Sequence, residues 1–379
     1  MRTEAAVLYE MGKPPPYAGS QPLVVEEVEL EGPGPGEVLV EVAAAGVCHS
    51  DLSVVDGSRP RPMPMILGHE AAGIVQEVGP GVADLRPGDH VVFSWMPSCG
   101  RCLYCATGRP ALCENGIRAN LAGSLLNGHR RFRDARGREL HHHLGVSGFS
   151  HRTVAVQESL VKIPEDAPLE KAALLGCAVL TGVGAVVNTA RVAAGMAVAV
   201  FGLGGVGLSA VMGARLVGAY PLVAVDVLAG KLELALRLGA SHVVDASRED
   251  PVRAVQEITG GGAHYTFDAV GHERVLRQAY DACRRGGVTV AIGLPPANQM
   301  FSVSAVGIVN DERTVQGSYM GSAVPRRDIP RFLALYQAGL LPLDLLITRA
   351  LPLSRINEAF DALTKGEAVR QLIVHGVAG

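Results

Sequence analysis

From about residue 196 the chain alternates short apolar runs with amphipathic stretches. The run 196–201 is almost wholly apolar, as a strand buried on both faces requires. A glycine turn follows, then a helical pattern to about residue 217. The segments 221–226, 242–244, 265–270 and 288–292 read as further strands, with helices over 230–238 and 250–259. Strands alternating with helices predict a parallel, doubly wound sheet. The first third reads differently: 38–45 and 71–78 are β-rich, and 89–93 follows a Pro87-Gly88 turn. The boundary falls near 178, just after Cys177. Past about 320 the alternation weakens, so the last segment is expected to pack back on the first domain.

The length of 379 residues fits two to three domains. Hydrophobic residues make up 48% and charged residues 19%, which supports a large core and argues against disorder. Lys plus Arg is 34 against 37 Asp plus Glu, a balance of −3, so nothing points to nucleic acid or an anionic membrane. No apolar run is long enough for a transmembrane helix, and Met1-Arg2-Thr3-Glu4 does not begin a signal peptide. A soluble cytoplasmic protein is expected.

Gly202-Leu203-Gly204-Gly205-Val206-Gly207 matches G-x-G-x-x-G in the required context, after a buried strand and opening a helix. Such glycines let the backbone approach a pyrophosphate at the helix N-terminus. Asp226 ends the next strand, 19 residues past Gly207, and is expected to bind ribose hydroxyls and repel a 2′-phosphate. That favours NAD over NADP. The alternative is an α/β turn without a nucleotide.

Seven cysteines, an odd total, argue against a disulfide framework. Cys99, Cys102, Cys105 and Cys113 crowd fifteen residues, a spacing that suits tetrahedral zinc. Four thiolates leave no open position, so this site is read as structural. An iron–sulfur cluster is the alternative. Cys283 reads as a small buried apolar residue.

Three more segments complete a set: Gly46-Val47-Cys48-His49-Ser50-Asp51, Gly68-His69-Glu70-Ala71-Ala72-Gly73 and Gly176-Cys177. With Gly79, Gly88-Asp89, the cysteine cluster and the nucleotide motif, the chain resembles the zinc-dependent medium-chain alcohol dehydrogenases over essentially its whole length. The stretch 114–144 and the following Gly145 to Ser150 are most similar to the dimeric branch of animal enzymes and glutathione-dependent formaldehyde dehydrogenase. The resemblance implies a GroES-like catalytic domain over 1–178, a Rossmann coenzyme domain over 179–320 and a C-terminal return over 321–379. It implies NAD, two zinc ions per chain and a homodimer, with a homotetramer as the alternative.

The resemblance further implies that Cys48, His69 and Cys177 bind a catalytic zinc, two thiolates and an imidazole leaving a fourth position open. Glu70 is similar to the family's nearby carboxylate, and Asp51 to the one that orients the histidine ligand. Ser50 matches the hydroxyl that takes the substrate proton, and His49 a basic position on the cofactor pyrophosphate. Lys231, Val270, Ile292, Leu294 and Arg370 are further expected cofactor contacts. Trp95, Leu144, His143 and Tyr319 are expected to wall the substrate pocket, Leu294 also standing near it. Adjacent His141, His142 and His143 point in different directions and are not expected to share a metal.

Two departures stand out. Where the family often places a histidine outlet for the proton, this chain has Ser53, leaving water, His49 or His143 as outlets. Where related formaldehyde dehydrogenases place acids that help recognise glutathione, this chain has Arg59 and Arg61; Arg118 remains a candidate for a carboxylate. The expected activity is reversible, zinc- and NAD-dependent oxidation of primary aliphatic or aromatic alcohols to aldehydes, by hydride transfer from a zinc-bound alkoxide. The alternatives are a thiol-adduct formaldehyde dehydrogenase and a non-catalytic NAD-binding protein; the intact ligand set and Ser50 argue against the last.

Overall fold

Val198-Ala199-Val200-Phe201 is buried along its whole length, and its β-branched and aromatic side chains suit the centre of a parallel sheet. The computed structural model describes residues 1–296 and 298–375, and the chain divides into two units. One comprises Met1–Cys177, Val324–Ala334 and Ile347–Gly379; the other comprises Ala178–Ala323 and Leu335–Leu346.

In the second unit the strand Val198–Phe201 lies between Leu222–Asp226 and Ala263–Asp268, parallel to both. His242–Asp245 extends the sheet on one side, Cys283–Ala291 and Thr314–Gly317 on the other, all parallel. The chain order therefore reverses at Val198–Phe201, the switch point where such sheets bind ligands. Local chemistry sets the helices between the strands. The Asp250 carboxylate accepts from Val252 N at 2.9 Å and caps Pro251–Thr259, Pro251 fits the first turn, and Gly260 at φ +66° ends it. Phe201, Val223, Val225, Val244, Val255 and Ala279 fill the core beneath.

The first unit is built from antiparallel pairing. Arg2–Leu8, Leu23–Leu30, Phe132–Arg133, Glu139–His142 and Met65–Ile66 close into a barrel around Val7, Leu30, Ile66, Phe132 and Leu140. A larger sheet runs in the order Leu160–Ile163, His90–Phe93, Ala71–Val78, Glu37–Val47, Arg370–Val374, Ile347–Leu351, with Arg152–Val156 also pairing with Glu37–Val47. The C-terminal strand Arg370–Val374 thus sits beside Glu37–Val47, far from it in sequence. Among the described residues, no single helix is long and apolar enough to cross a membrane.

The strands foreseen at 38–45, 71–78 and 89–93 are Glu37–Val47, Ala71–Val78 and His90–Phe93. The helix foreseen at 230–238 is Ala229–Arg237. The barrel strands were not foreseen. Several span only two to four residues, too short for period-two alternation to stand out.

Burial pushes Asp268, at the end of its strand, up to about 6, although its Oδ1 accepts from Val270 N at 2.9 Å and Gly271 N at 3.3 Å. A raised carboxyl stabilises the fold while protonated, fully below its unfolded pKa near 4 and no longer above about 6. Asp268→Asn keeps an acceptor without a charge. It is expected to remove on the order of 2 kcal/mol from the stability the wild type loses between about pH 4 and pH 7. Denaturant melts of both proteins at the two pH values check this, and equal pH slopes would refute it.

Candidate functional site

Antiparallel pairing of Glu37–Val47 with Ala71–Val78 sets Ala45 opposite Ala71, so Cys48, just past one strand, comes beside His69, just before the other. Cys48 caps the helix His49–Val55, with Asp51 in its first turn. Gly68 turns the chain into His69 at φ +89°, and a Cβ there would stand 2.6 Å from Phe149 N. Cys177 follows Gly176, whose own Cβ would stand 2.7 Å from the Phe93 carbonyl. Close backbone packing thus delivers three ligand-type residues from distant segments.

The sulfurs of Cys48 and Cys177 and a ring nitrogen of His69 lie within 4.8 Å of one another, all three residues buried. His69 Nε2 makes no hydrogen bond among the described residues, while Nδ1 faces Asp51 Oδ1 at 3.1 Å. A buried imidazole whose outer nitrogen faces two sulfurs fits a thiophilic dication. The protonation equilibria agree. A hydrogen bond from Cys177 holds the Cys48 thiol well below its ordinary value, helped by Arg370 and His69, and the same bond holds Cys177 well above its own. A dication would be held here by both sulfurs as thiolates.

Asp51 is buried, and its carboxylate serves four groups. Oδ1 faces Gly68 N at 3.0 Å, His69 Nδ1 at 3.1 Å and His143 Nδ1 at 3.0 Å; Oδ2 faces Cys48 N at 3.3 Å. Burial pushes its pKa up, but His69 and His143 outweigh that and hold it at about 2. Burial pulls His69 down, but Asp51 outweighs it and holds the imidazole well above its ordinary value. His143 is held below its ordinary value by burial, Asp51 offsetting this only in part.

Glu70 and Arg370 form a buried ion pair with Nε 3.5 Å from Oε2, and Arg370 Nη2 lies 3.7 Å from Cys48 Sγ. The register explains this: Gln371 pairs with Val47, which sets Arg370 opposite Cys48.

The second cysteine set lies in one loop. Ligand atoms of Cys99, Cys102, Cys105 and Cys113 converge within 4.8 Å, and the Cys102–Cys113 sulfurs, 4.0 Å apart, are not bonded. Cys113 Sγ accepts from Cys99 N and Gly116 N at 3.3 Å, and Asn115 Nδ2 donates to Cys99 Sγ at 3.0 Å. Arg118 donates to Asn115 Oδ1 in turn. Donors aimed at sulfur suit thiolates that hold a metal.

In the second unit the glycine turn has two kinds of position. A Cβ on Gly207 would meet the Gly202 carbonyl at 1.8 Å, whereas one on Gly204 would meet nothing within 4 Å. Gly204 caps the helix Gly205–Leu216 and leaves room at its N-terminus, where backbone N–H groups receive an anion. Asp226 Oδ2 accepts from Leu203 N at 2.7 Å, and Oδ1 from Val227 N and Leu228 N. This carboxylate braces the turn. Val270, Leu294 and Tyr319 are exposed, while Ile292 and Lys231 are half-buried.

Other expectations resolve in the first unit. Trp95 is buried, and Leu144 takes a left-handed φ of +53°. His143 was expected to wall the pocket or pass a proton to water. It is 2% exposed, with Nδ1 3.0 Å from Asp51 Oδ1. Ser53 Oγ donates to His49 O at 2.8 Å, within its own helix. The adjacent histidines do diverge: His141 Nδ1 accepts from Arg130, and His142 Nε2 accepts from Arg131 N. Sequence reasoning missed the Arg370–Glu70 pair, the His143–Asp51 contact and Asn115. All three depend on register or on a side chain's rotamer.

The family profile described as "Alcohol dehydrogenase GroES-like domain" matches residues 34–165, and that described as "Zinc-binding dehydrogenase" matches 205–338. The chain is 41% identical to "Alcohol dehydrogenase class-3" of Cereibacter sphaeroides, over 99% of this chain and 100% of that protein. It is 40% identical to "S-(hydroxymethyl)glutathione dehydrogenase" of Paracoccus denitrificans, over the same shares. Among solved structures, benzyl alcohol dehydrogenase from Acinetobacter calcoaceticus superposes with a TM-score of 0.92 at 33% identity, over 99% of this chain and 100% of that one.

The two glycines separate ligand space from fold space. Gly204→Ala, at φ −72°, is expected to leave the melting temperature unchanged and to weaken NAD binding at least about tenfold. Gly207→Ala is expected to destabilise the fold by about 1–3 kcal/mol. Calorimetric NAD titration and thermal melts of both variants check the pair; unchanged NAD affinity in Gly204→Ala would be the contrary result.

Proposed function

The chain belongs to the zinc-binding alcohol dehydrogenase family and is an NAD-dependent oxidoreductase of small-molecule alcohols and aldehydes; from that premise we propose that its substrate is a primary carbinol carried on a low-molecular-weight thiol, the S-hydroxymethyl adduct of formaldehyde. The names of the relatives support this reading. One local feature carries it. Burial chiefly holds the His143 ring below its ordinary pKa, and the charge of Arg61, in a loop that also bears Arg59, adds a smaller push the same way. A cation near the ligand set suits a substrate that ends in carboxylates. Arg59 and Arg61 are not the acids of the formaldehyde dehydrogenases, so a carboxylate of the thiol would be recognised here by charge pairing.

Zinc, when bound, supplies a Lewis acid that lowers the pKa of an alcohol, and NAD supplies the hydride acceptor. Cys48, His69 and Cys177 would hold that zinc with a fourth position open, since two thiolates and a neutral imidazole balance a dication. Asp51 fixes the Nδ1–H tautomer of His69 and so frees Nε2 for the metal. Glu70 and Arg370 set the local charge beside the sulfurs. Ser50 takes the substrate proton, and exposed His49 next to it passes the proton to water. Ser53 commits its O–H to the His49 carbonyl and offers no proton to that route. In the second unit Gly204, Asp226 and Lys231 receive the cofactor, with Val270, Ile292 and Leu294 along its path.

Simple primary alcohols are the second reading. The likeness to benzyl alcohol dehydrogenase favours it, as does the single buried tryptophan, Trp95, which would narrow the pocket against bulky secondary alcohols. NAD reduction is measured with formaldehyde alone, with formaldehyde plus glutathione or another small thiol, and with benzyl alcohol and ethanol. The expected result is turnover of formaldehyde only when a thiol is present. Arg61→Gln should then raise KM for the adduct about tenfold or more and spare that for benzyl alcohol. Thiol-independent rates, with benzyl alcohol preferred, would move the assignment to the second reading.

We further propose a cytoplasmic homodimer. Thr314–Gly317 ends its sheet and is exposed throughout, which leaves an edge open to pairing. Beside it in sequence, the helix Ala305–Asp311 buries none of its residues and shows Val306 and Val309 at 65% and 73% exposure on one face. Sedimentation equilibrium should give the mass of two chains for the wild type and of one chain for Val309→Asp. A monomeric wild type would refute the dimer.

A further inference from the structure

Asp51 is surrounded more completely than orienting one ligand requires. Its Oδ1 already accepts from Gly68 N at 3.0 Å and faces His69 Nδ1 at 3.1 Å, yet His143 Nδ1, a buried nitrogen with no hydrogen bond among the described residues, stands 3.0 Å from the same atom. The His143 and His69 rings meet edge to face, centroids 5.4 Å apart and planes at 85°. Both rings are at most 2% exposed. His143 follows Glu139–His142, whose residues His141 and His142 pair with Met65 and Ile66, and its backbone N–H donates to Ile66 O at 3.2 Å. Its reach to Asp51 is therefore fixed by a separate strand, paired with the one that leads into His69.

We propose that His143 is a positioning residue for the open metal site, a second imidazole that donates Nδ1–H to Asp51 and holds the carboxylate in line with His69. The argument is steric and electrostatic. A carboxylate oxygen accepts but cannot donate, so His143 must present its proton at Nδ1. Asp51 then sits between two imidazoles, one from the turn at Gly68 and one from the barrel, and cannot pivot about its Cβ–Cγ bond without breaking a contact. The metal-facing ring inherits that restraint, because His69 Nδ1 follows Oδ1. Removing His143 leaves the buried carboxylate with fewer neighbouring donors, and it swings to regain one. The opposite electronic argument is that a second donor draws charge from Asp51 and weakens His69 as a ligand. It predicts tighter metal binding once His143 is gone, so the sign of the effect decides between them.

The proposal rests on the reading that Cys48, His69 and Cys177 hold zinc, and the test separates the two. Zinc content of the purified enzyme is followed against graded EDTA for wild type, His143→Phe and His143→Asn. Asparagine carries an N–H donor at the position of His Nδ1; phenylalanine does not. The expected result is two zincs per wild-type chain, with one lost from His143→Phe at an EDTA concentration about tenfold lower, and near wild-type retention in His143→Asn. The zinc of the four-cysteine loop should be retained alike in all three, which serves as the control for fold. Should the phenylalanine variant not fold, His143→Leu, close to asparagine in shape but without a donor, takes its place. Equal retention in wild type and the donor-less variant, tighter retention in that variant, or equal loss from the donor-less variant and asparagine would each overturn the proposal. A wild type holding only the four-cysteine zinc would overturn the reading beneath it.

Discussion

The first unit's chemistry depends on one buried carboxylate. Burying an ion costs several kcal/mol unless donors satisfy it. Asp51 meets that requirement with groups from different segments: its own helix start at Cys48 N, the turn at Gly68 N and the imidazole of His69, with His143 Nδ1 3.0 Å from the same oxygen. Each donor that satisfies the charge is also held by it. The carboxylate thereby clamps one ligand residue through its backbone and another through its ring. Sheet register brings Cys48 and His69 close; Asp51 fixes their orientation.

The charges around that clamp explain why the site suits a dication. Two sulfurs, Asp51 and Glu70 crowd a buried volume, and Arg370 is a buried cation beside them, 3.5 Å from Glu70 and 3.7 Å from Cys48. Arg370 is correspondingly held above its ordinary pKa: burial opposes this, but Glu70 and the two sulfurs outweigh it. The opposite shifts of the two thiols, Cys48 down and Cys177 up, arise chiefly from the hydrogen bond between them. The four-cysteine loop differs, with backbone and amide N–H groups aimed at its sulfurs. Dipoles satisfy thiolates but leave the metal its full complement of sulfur. A mixed donor set with a neutral imidazole keeps a position open.

What could be read from the chain, and what could not, follows from the range of the interactions. The strand Val198–Phe201, the glycine turn and the capped helix Pro251–Thr259 are local features, written in hydrophobic runs, φ requirements and caps. The four cysteines are local too. The open site was visible only through a resemblance, because Cys48, His69 and Cys177 come from three segments and no spacing rule joins them. The contact of Arg370 with Glu70 and Cys48 was not legible, since a C-terminal strand pairs with Glu37–Val47 in a register no local pattern encodes. The two-residue barrel strands lacked enough period to be seen.

The places where the chain departs from its resemblance are related physically. The family's histidine outlet is replaced by Ser53, whose hydroxyl turns back to the His49 carbonyl, while an imidazole stands at His143 on the inner side of the same helix. An imidazole can relay a proton to water only if one nitrogen meets solvent and its hydrogen bond can be exchanged. His143 is 2% exposed, with Nδ1 3.0 Å from the Asp51 carboxylate. His49, at the start of the helix that carries Asp51, is the exposed imidazole of the two, and His143 the buried one, so burial sets the two rings in different surroundings.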